Sequence, residues 1–210
     1  MLNSEVQKLV NFIISKQSDF NPITQKIPYY HMGATITDAI LQAGLNYRTV
    51  VYPRIEKMLT KYSDYRSTCD FIILFKTEPL SEIIDWSNEE KPRRIKNLAW
   101  LLFENNINNE DELSTWLINE VNVNSLSSIK GIGPKTIDYL KLLSGTQAIP
   151  IDRHLFKFLE LAGICTDKYD YANRLYSNAA ETLNIRKTEL DSKIWNYMAY
   201  SFEKKEKAIV

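Results

Sequence analysis

The sequence has little of what several classes of protein require. Among its 210 residues are only two cysteines, Cys69 and Cys165, too few for a disulfide framework or a four-thiolate metal site. Six glycines and seven prolines are too few for a fibrous or disordered chain. Lys and Arg together number 26, as do Asp and Glu, so the formal net charge is zero. Binding of a polyanion by bulk charge alone is therefore excluded.

Membrane and export signals are also missing from the printed sequence. No apolar run reaches the length of about 18 residues that is typical of a membrane-spanning helix. The stretch Met1–Lys16 lacks the basic start and cleavage pattern of a signal peptide. We therefore expect an intracellular protein, cytoplasmic or associated with the nucleoid, that has no membrane partner.

What the sequence does contain is apolar residues at helical spacing. In Glu5–Ser15 they recur three and four positions apart, which places them on one helical face. A second such pattern begins near Thr35 and Thr37, either of which could cap a helix. The apolar run Cys69–Phe75 is compatible with a strand, but no neighbouring run offers a partner strand. The sequence predicts an all-α protein with roughly ten helices of ordinary length.

One stretch, Leu126–Leu159, carries more information than the rest. It contains Gly131-Ile132-Gly133 between two helical patterns, followed by Pro134 at the first position of the second helix. Glycines permit a tight turn and let another backbone approach closely. The free N–H groups of such a turn, at a helix N-terminus, form a small site for an anion such as phosphate.

This stretch resembles the helix-hairpin-helix motif of DNA-binding proteins, and its second half makes the resemblance more specific. Gly145, Pro150 and Asp152 follow the hairpin, with Asp152 at 17 positions after Lys135. That arrangement is similar to the HhH-GPD superfamily of DNA glycosylases, which includes endonuclease III and 8-oxoguanine glycosylase. The similarity spans about residues 35–160 and is most specific in 131–154.

The resemblance implies a function and assigns residues to it. It implies a base-excision-repair DNA glycosylase with abasic-site lyase activity, in which Lys135 is the nucleophile and Asp152 the assisting carboxylate. The substrate would be double-stranded DNA with a damaged base, such as the oxidised purine 8-oxoguanine, or with an abasic site. The DNA backbone would be bound by the hairpin residues, namely Lys130, Gly131, Ile132 and Gly133. The family also allows a monovalent cation at the hairpin, and no other metal is expected.

The chemistry expected of Lys135 and Asp152 is reasonable in itself. A neutral amine can attack C1′ of a deoxyribose, displace the base and form a Schiff base, and β-elimination then nicks the strand. A nearby carboxylate stabilises the positive charge that develops on the sugar. Lys135 would lie in the first turn of a helix, where the helix dipole disfavours a positive charge. Asp152 stands just before a helical pattern, so it would also serve as an ordinary N-cap.

A second part of the resemblance concerns an extruded base. Thr37–Tyr62 looks like the early helix, the gap-filling loop and the following helix of the family. By that comparison Gln42, Asn46 and Tyr47 form the wedge that fills the gap left in the duplex. Their types fit, because an amide can pair with an orphaned base and a ring can stack on one. The alternative is a helix–turn–helix with exposed polar residues.

The resemblance also implies a two-lobed helical fold with a cleft between the lobes. Residues 31–149 would form a helical barrel that ends in the hairpin, and residues 1–30 with 150–210 would form the second lobe. Many relatives carry an iron–sulfur cluster on four C-terminal cysteines, whereas only Cys165 follows the hairpin here. We therefore expect no iron–sulfur cluster, no other cofactor and a monomeric enzyme.

Three alternatives stay open at this point. A non-catalytic DNA-binding protein would keep the hairpin only as a clamp on the backbone. A small globular protein could instead bind a protein partner through basic clusters such as Lys91, Arg93, Arg94 and Lys96. A glycosylase without lyase activity is the third, although such enzymes generally lack a lysine at the position of Lys135.

Overall fold

The computed structural model describes residues 2–20 and 28–207, with side chains described as far as residue 199. Within these ranges there is no strand, so the prediction of an all-α protein is confirmed. The described helices are α1 (Leu2–Ser15), α2 (Met32–Leu41), α3 (Tyr52–Lys61), α4 (Thr68–Thr77), α5 (Leu80–Ile83), α6 (Glu90–Glu104), α7 (Glu110–Trp116), α8 (Glu120–Leu126), α9 (Pro134–Leu143), α10 (Arg153–Leu161), α11 (Tyr169–Thr182) and α12 (Lys187–Lys207). A 3-10 turn at Gln17–Asp19 follows α1, and a π-helical turn at Tyr47–Val51 precedes α3.

The chain divides into two compact units. The first, which we name the hairpin unit, is Ile27–Thr146; the second, the terminal unit, is Met1–Lys26 together with Gln147–Val210. The division predicted from the sequence was 31–149 against 1–30 with 150–210. Parts of those predicted lobes, residues 1, 21–27 and 208–210, lie outside the described residues. The predicted cleft between lobes stays a prediction.

The core of the hairpin unit is built around α2. Every residue of α2 is buried, and the helix packs against α3, α6 and α9. The apolar run Cys69–Phe75 lies within α4, which begins with a capping box between Ser67 and Asp70 and packs on α6. A buried helix, not a strand, is thus what this run forms.

The start of α2 differs from the sequence-based expectation. Thr35 and Thr37 were the expected caps, but both lie buried inside α2, and the N-cap is His31. His31 Nδ1 accepts a hydrogen bond from the Ala34 N–H at 3.2 Å. The Thr35 hydroxyl instead donates to the buried carboxylate of Glu110 at 2.6 Å. The helix therefore starts one turn earlier than the threonines suggest.

The terminal unit has a separate core. In it α1 packs on α11, and α10 packs on α12. Leu175 and Ile194 are fully buried there, and Leu183, Ile185 and Trp195 pack against the same cluster. Apolar packing among these side chains therefore holds the C-terminal helices together.

Candidate nucleic-acid interface and active site

The hairpin joins α8 to α9 through a turn whose interior is apolar. The Ile132 N–H donates to the Ile129 carbonyl at 3.0 Å, which closes the turn. Both isoleucines are buried in the core of the hairpin unit, together with Ile137 and Leu140 of α9. Ile132 thus anchors the turn, and the residues on either side of it form the surface.

Gly131 is a position where the fold itself requires glycine. Its φ is +88°, in the left-handed region that side chains rarely adopt. A Cβ on Gly131 would also lie 2.2 Å from the guanidinium carbon of Arg94. That guanidinium packs over the turn and donates through Nε to the Lys130 carbonyl at 3.0 Å. Arg94 therefore braces the turn from outside.

Gly133 is different, because neither its backbone nor its surroundings require glycine. Its φ of −117° and ψ of −177° are extended and open to any residue. A Cβ built there would have no heavy atom within 4 Å. Gly133 is the N-cap of α9, and no side chain caps that helix. No side chain therefore accepts a hydrogen bond from the first amides of α9, where Pro134 itself has no N–H to donate.

Lys135 lies in the first turn of α9 and is half-buried. Its amine makes no hydrogen bond or ion pair with any residue that the structure describes. Lys141, two turns further along the same helix, is by contrast paired with Asp138 at 3.7 Å. Of the two lysines of α9, Lys135 is thus the one whose amine has no ion-pair partner among the described residues.

A second amine, that of Lys91, lies near enough to Lys135 for their charges to interact. Lys91 Nζ donates to the carbonyls of Ile40 at 2.7 Å and Ala43 at 3.3 Å, so it caps the C-terminal end of α2. Partial burial lowers the pKa of Lys91, and the positive charges of Arg94 and Lys135 lower it further. Sequence reasoning did not assign Lys91 a role beside Lys135, because the two are distant in sequence.

The three predicted wedge residues lie at and after the end of α2. The side-chain nitrogen of Gln42 is buried and has no hydrogen-bond partner among the described residues. Asn46 caps the π-helical turn by accepting from the Thr49 N–H at 3.1 Å. The Tyr47 hydroxyl is 3.0 Å from that of Tyr29. Asn46 and Tyr47 thus have partners inside the protein, whereas the side-chain amide of Gln42 has a donor without an acceptor. The wedge stays a prediction.

A buried carboxylate–tyrosine network lies beneath this region and was missed by sequence reasoning. Asp38 is fully buried in α2, and its Oδ2 accepts from the hydroxyls of Tyr29 at 2.8 Å and Tyr139 at 3.1 Å. Burial raises the pKa of both tyrosines, and the Asp38 carboxylate raises them further. Tyr139 is one helical turn after Lys135. The network therefore fixes the helix that carries the predicted nucleophile.

Asp152, in the terminal unit, is the N-cap of α10. Its Oδ1 accepts from the N–H groups of His154 at 2.8 Å and Leu155 at 3.1 Å. Its Oδ2 makes no hydrogen bond with a described residue. The carboxylate is half-buried and thus keeps one oxygen for another partner. The His154 ring is buried against Trp195, with ring centroids 5.7 Å apart, which gives it a packing role.

Three further observations concern metal ligands, thiols and the length of the helices. Within residues 2–20 and 28–199, no group of three His, Cys, Asp or Glu side chains is placed to hold a metal ion. Cys69 and Cys165 are both free thiols. None of the helices in the described part of the chain has the length and apolar character that crossing a bilayer requires.

Comparison with known proteins gives one match. A family model described as a domain of unknown function, DUF8548, matches residues 7–199. No curated protein and no solved structure matches the chain. Because the match covers well over half of its length, the chain belongs to the DUF8548 family.

Proposed function

We propose that this chain is a base-excision DNA glycosylase of the HhH-GPD type, with an associated abasic-site lyase activity. The observation that carries the proposal is the start of α9. There Gly133, a glycine that the fold does not require, adjoins uncapped helix amides and a half-buried lysine without a partner. A glycine of this kind is expected where an outside backbone must approach closely.

The hairpin is the proposed binding site for the DNA backbone. The N–H groups of Gly131 and Gly133 and the start of α9 would donate to a phosphate, with Ile132 as the buried anchor. Lys130 adds a positive charge at the same turn. Contacts of this kind position a duplex without reading its sequence. A monovalent cation bridging the turn and the phosphate is compatible with this geometry.

Lys135 is the proposed nucleophile. Its neutral amine forms a bond to C1′ while the bond from C1′ to the base breaks, and the base leaves with that electron pair and gains a proton. Loss of a proton from the nitrogen and opening of the sugar ring then give a Schiff base. Removal of a C2′ proton expels the 3′ phosphate by β-elimination and nicks the strand.

Asp152 is the proposed assisting carboxylate, and two roles fit its geometry. One oxygen holds the start of α10, so the carboxylate is fixed in place. The other oxygen remains able to accept a proton or to stabilise the positive charge on the sugar. Gln42, Asn46 and Tyr47 are the proposed wedge for an extruded base, and an oxidised purine such as 8-oxoguanine is the proposed damage.

A non-catalytic helix-hairpin-helix DNA-binding protein is the alternative. The observation that favours it is the N-cap, because capping α10 alone accounts for an aspartate at position 152. In that case the hairpin would bind DNA, and neither Lys135 nor Asp152 would take part in chemistry. The two functions therefore differ in covalent chemistry and agree on backbone binding.

Borohydride trapping on a duplex with a single abasic site separates them. The wild-type protein is expected to form a reduced covalent adduct with DNA. Lys135→Gln should abolish it, whereas Lys141→Gln, a matched change on the same helix, should leave it intact. Asp152→Asn keeps a capping side chain and should slow base release from a damaged duplex.

The outcomes are distinct. An adduct that persists in Lys135→Gln would overturn the assignment of the nucleophile, and Lys91 would be the next amine to replace. Tight binding of DNA with no adduct in the wild-type protein would favour the non-catalytic alternative. If the wild-type protein neither binds DNA nor forms an adduct, both proposed functions are overturned.

A further inference from the structure

A surface pocket of about 320 Å³ lies beside the hairpin. One of its walls is a single face of α6, because Glu90, Arg93, Arg94 and Asn97 recur at helical spacing. The other contributor is Lys130, in the turn that precedes α9. Three cations and one carboxylate thus line a pocket that has no aromatic or aliphatic side chain in its lining.

The single carboxylate of the pocket is already neutralised. Arg94 Nη2 is 2.8 Å from the Glu90 carboxylate, and Arg94 Nε donates to the Lys130 carbonyl. The side chains of Arg93 and Lys130 are exposed and make no hydrogen bond or ion pair with any described residue. Two positive charges therefore remain without a counter-charge in the pocket.

The lining indicates the class of ligand. A nucleobase binds against aromatic or apolar faces, and this pocket offers none. A phosphate group suits it, since a guanidinium donates in a fork that matches phosphate oxygens and an ammonium adds a point charge. The Asn97 amide can donate a further hydrogen bond to a phosphate or a sugar oxygen.

We propose that this pocket, named the Arg93 pocket, binds a second phosphate of the DNA strand whose backbone the hairpin holds; the inference rests on the proposed function. Arg94 connects the two sites, because the same guanidinium that braces Gly131 also lines the pocket and donates to the Glu90 carboxylate and the Lys130 carbonyl. Two anion sites on one braced surface fix the direction of a strand as well as its position, which one site cannot do.

The salt dependence of DNA affinity tests this proposal. Each phosphate that a protein neutralises adds about 0.9 to the slope of log K against log salt concentration. Arg93→Gln should reduce the slope by about one. Lys96→Gln is the matched control, because Lys96 is on the same helix but its amine lies over the Phe75 ring, 5.7 Å from the centroid. Circular dichroism of both variants should match the wild type.

A second experiment identifies the phosphate. In a set of duplexes, each phosphate in turn is replaced by a neutral methylphosphonate. Replacement at one position should weaken binding of the wild-type protein and leave binding of Arg93→Gln unchanged. For Gly133→Ala, a methylphosphonate at a different position should be the one that no longer weakens binding. The two sites would then be shown to hold different phosphates.

Each outcome decides the matter. An equal loss of slope in Arg93→Gln and Lys96→Gln, or no loss in Arg93→Gln, would overturn the Arg93 pocket while leaving hairpin binding intact. A single methylphosphonate position shared by the two variants would also overturn it. Absence of any salt-dependent affinity in the wild-type protein would overturn the proposed function together with the pocket.

Discussion

Helices α9 and α10 start in opposite ways. At α10 the protein satisfies its own amides, because the Asp152 carboxylate accepts two of them. At α9 the N-cap is Gly133, no side chain caps the helix, and the space around that glycine is open. The first N–H groups of a helix need acceptors from somewhere. The contrast teaches that α10 carries its own side-chain acceptor for its first amides, whereas the first turn of α9 has none, which is the feature on which the proposed backbone binding rests.

The two helices are alike beyond their first turns, so the contrast is local. A buried tyrosine hydroxyl anchors each of them. Tyr139 of α9 donates to Asp38 at 3.1 Å, and Tyr176 of α11 donates to the Leu155 carbonyl of α10 at 2.7 Å. Looseness of the whole helix therefore does not explain the open start of α9.

The largest loss of stability should come from alkaline pH, because it favours ionisation of both anchoring hydroxyls, those of Tyr139 and Tyr176. Burial raises the pKa of Tyr139 and Tyr176 well above the usual value, and the charges of Asp38 and of Asp152 act in the same direction. Because the folded state binds these protons more tightly than the unfolded chain, the free energy of unfolding is unaffected by them below about pH 10 and falls above it.

Urea unfolding from about pH 8 to about pH 12 measures this fall, together with tyrosinate absorbance. Tyr139→Phe and Tyr176→Phe are the controls, since each removes one ionisable hydroxyl and should make the fall less steep. Ionisation of either tyrosine while the helical circular dichroism stays intact would contradict the prediction.

The next effect in size concerns the turn before α9. Gly131→Ala should lower the free energy of unfolding by about 2 kcal/mol, because an alanine at a left-handed φ is strained. The new methyl group would also displace the Arg94 guanidinium. Thermal and urea unfolding check the loss. In the background of Arg94→Ala the cost should be smaller, and an equal cost there would show that the guanidinium is not involved.

A smaller loss of stability is expected when the N-cap of α10 is removed. Asp152→Ala should lower the free energy of unfolding by about 1 kcal/mol, the usual cost of removing a capping side chain. Asp152→Asn should stay within about 0.5 kcal/mol of the wild type, because an amide oxygen still accepts from the two N–H groups. Equal losses in the two variants would mean that the charge, and not the cap, stabilises α10.

The two helix starts also mark how far sequence reasoning could go. Asp152 before a helical pattern and Pro134 after two glycines are local signals, and both helices begin where those signals place them. His31 as the cap of α2 carries no such signal. Its ring is held by a contact of Nε2 with the Tyr62 carbonyl at 3.0 Å, from a residue 31 positions away. Local pattern reasoning therefore placed the cap on the threonines.

The carboxylate–tyrosine network shows the same limit for the site. Asp38 pairs with Tyr29, nine positions away, and with Tyr139, 101 positions away, so only the folded chain brings the three together. A hint was present in the sequence, since Asp38 interrupts an otherwise apolar and small run in α2. A charged residue at a core position needs buried partners. The sequence alone does not say which residues those are.

The smallest effect on stability, and the sharpest test of the contrast, is expected of Gly133→Ala. Its extended backbone and open surroundings accept a methyl group, so the free energy of unfolding should fall by only about 0.5 kcal/mol, because alanine is a poorer N-cap than glycine. The methyl group would, however, stand where a phosphate must approach the helix amides. Affinity for duplex DNA should fall by about tenfold, a loss of about 1.4 kcal/mol.

Paired measurements of urea unfolding and DNA binding on the same preparation decide this prediction. Gly163→Ala is the control, because its φ of +74° makes alanine strained there and Gly163 lies outside both the hairpin and the proposed wedge. That variant should lose stability and keep its affinity for DNA, the reverse of Gly133→Ala. If Gly133→Ala binds DNA as tightly as the wild type, the open start of α9 is not the site of backbone contact. The difference between the two helix starts would then have no bearing on function.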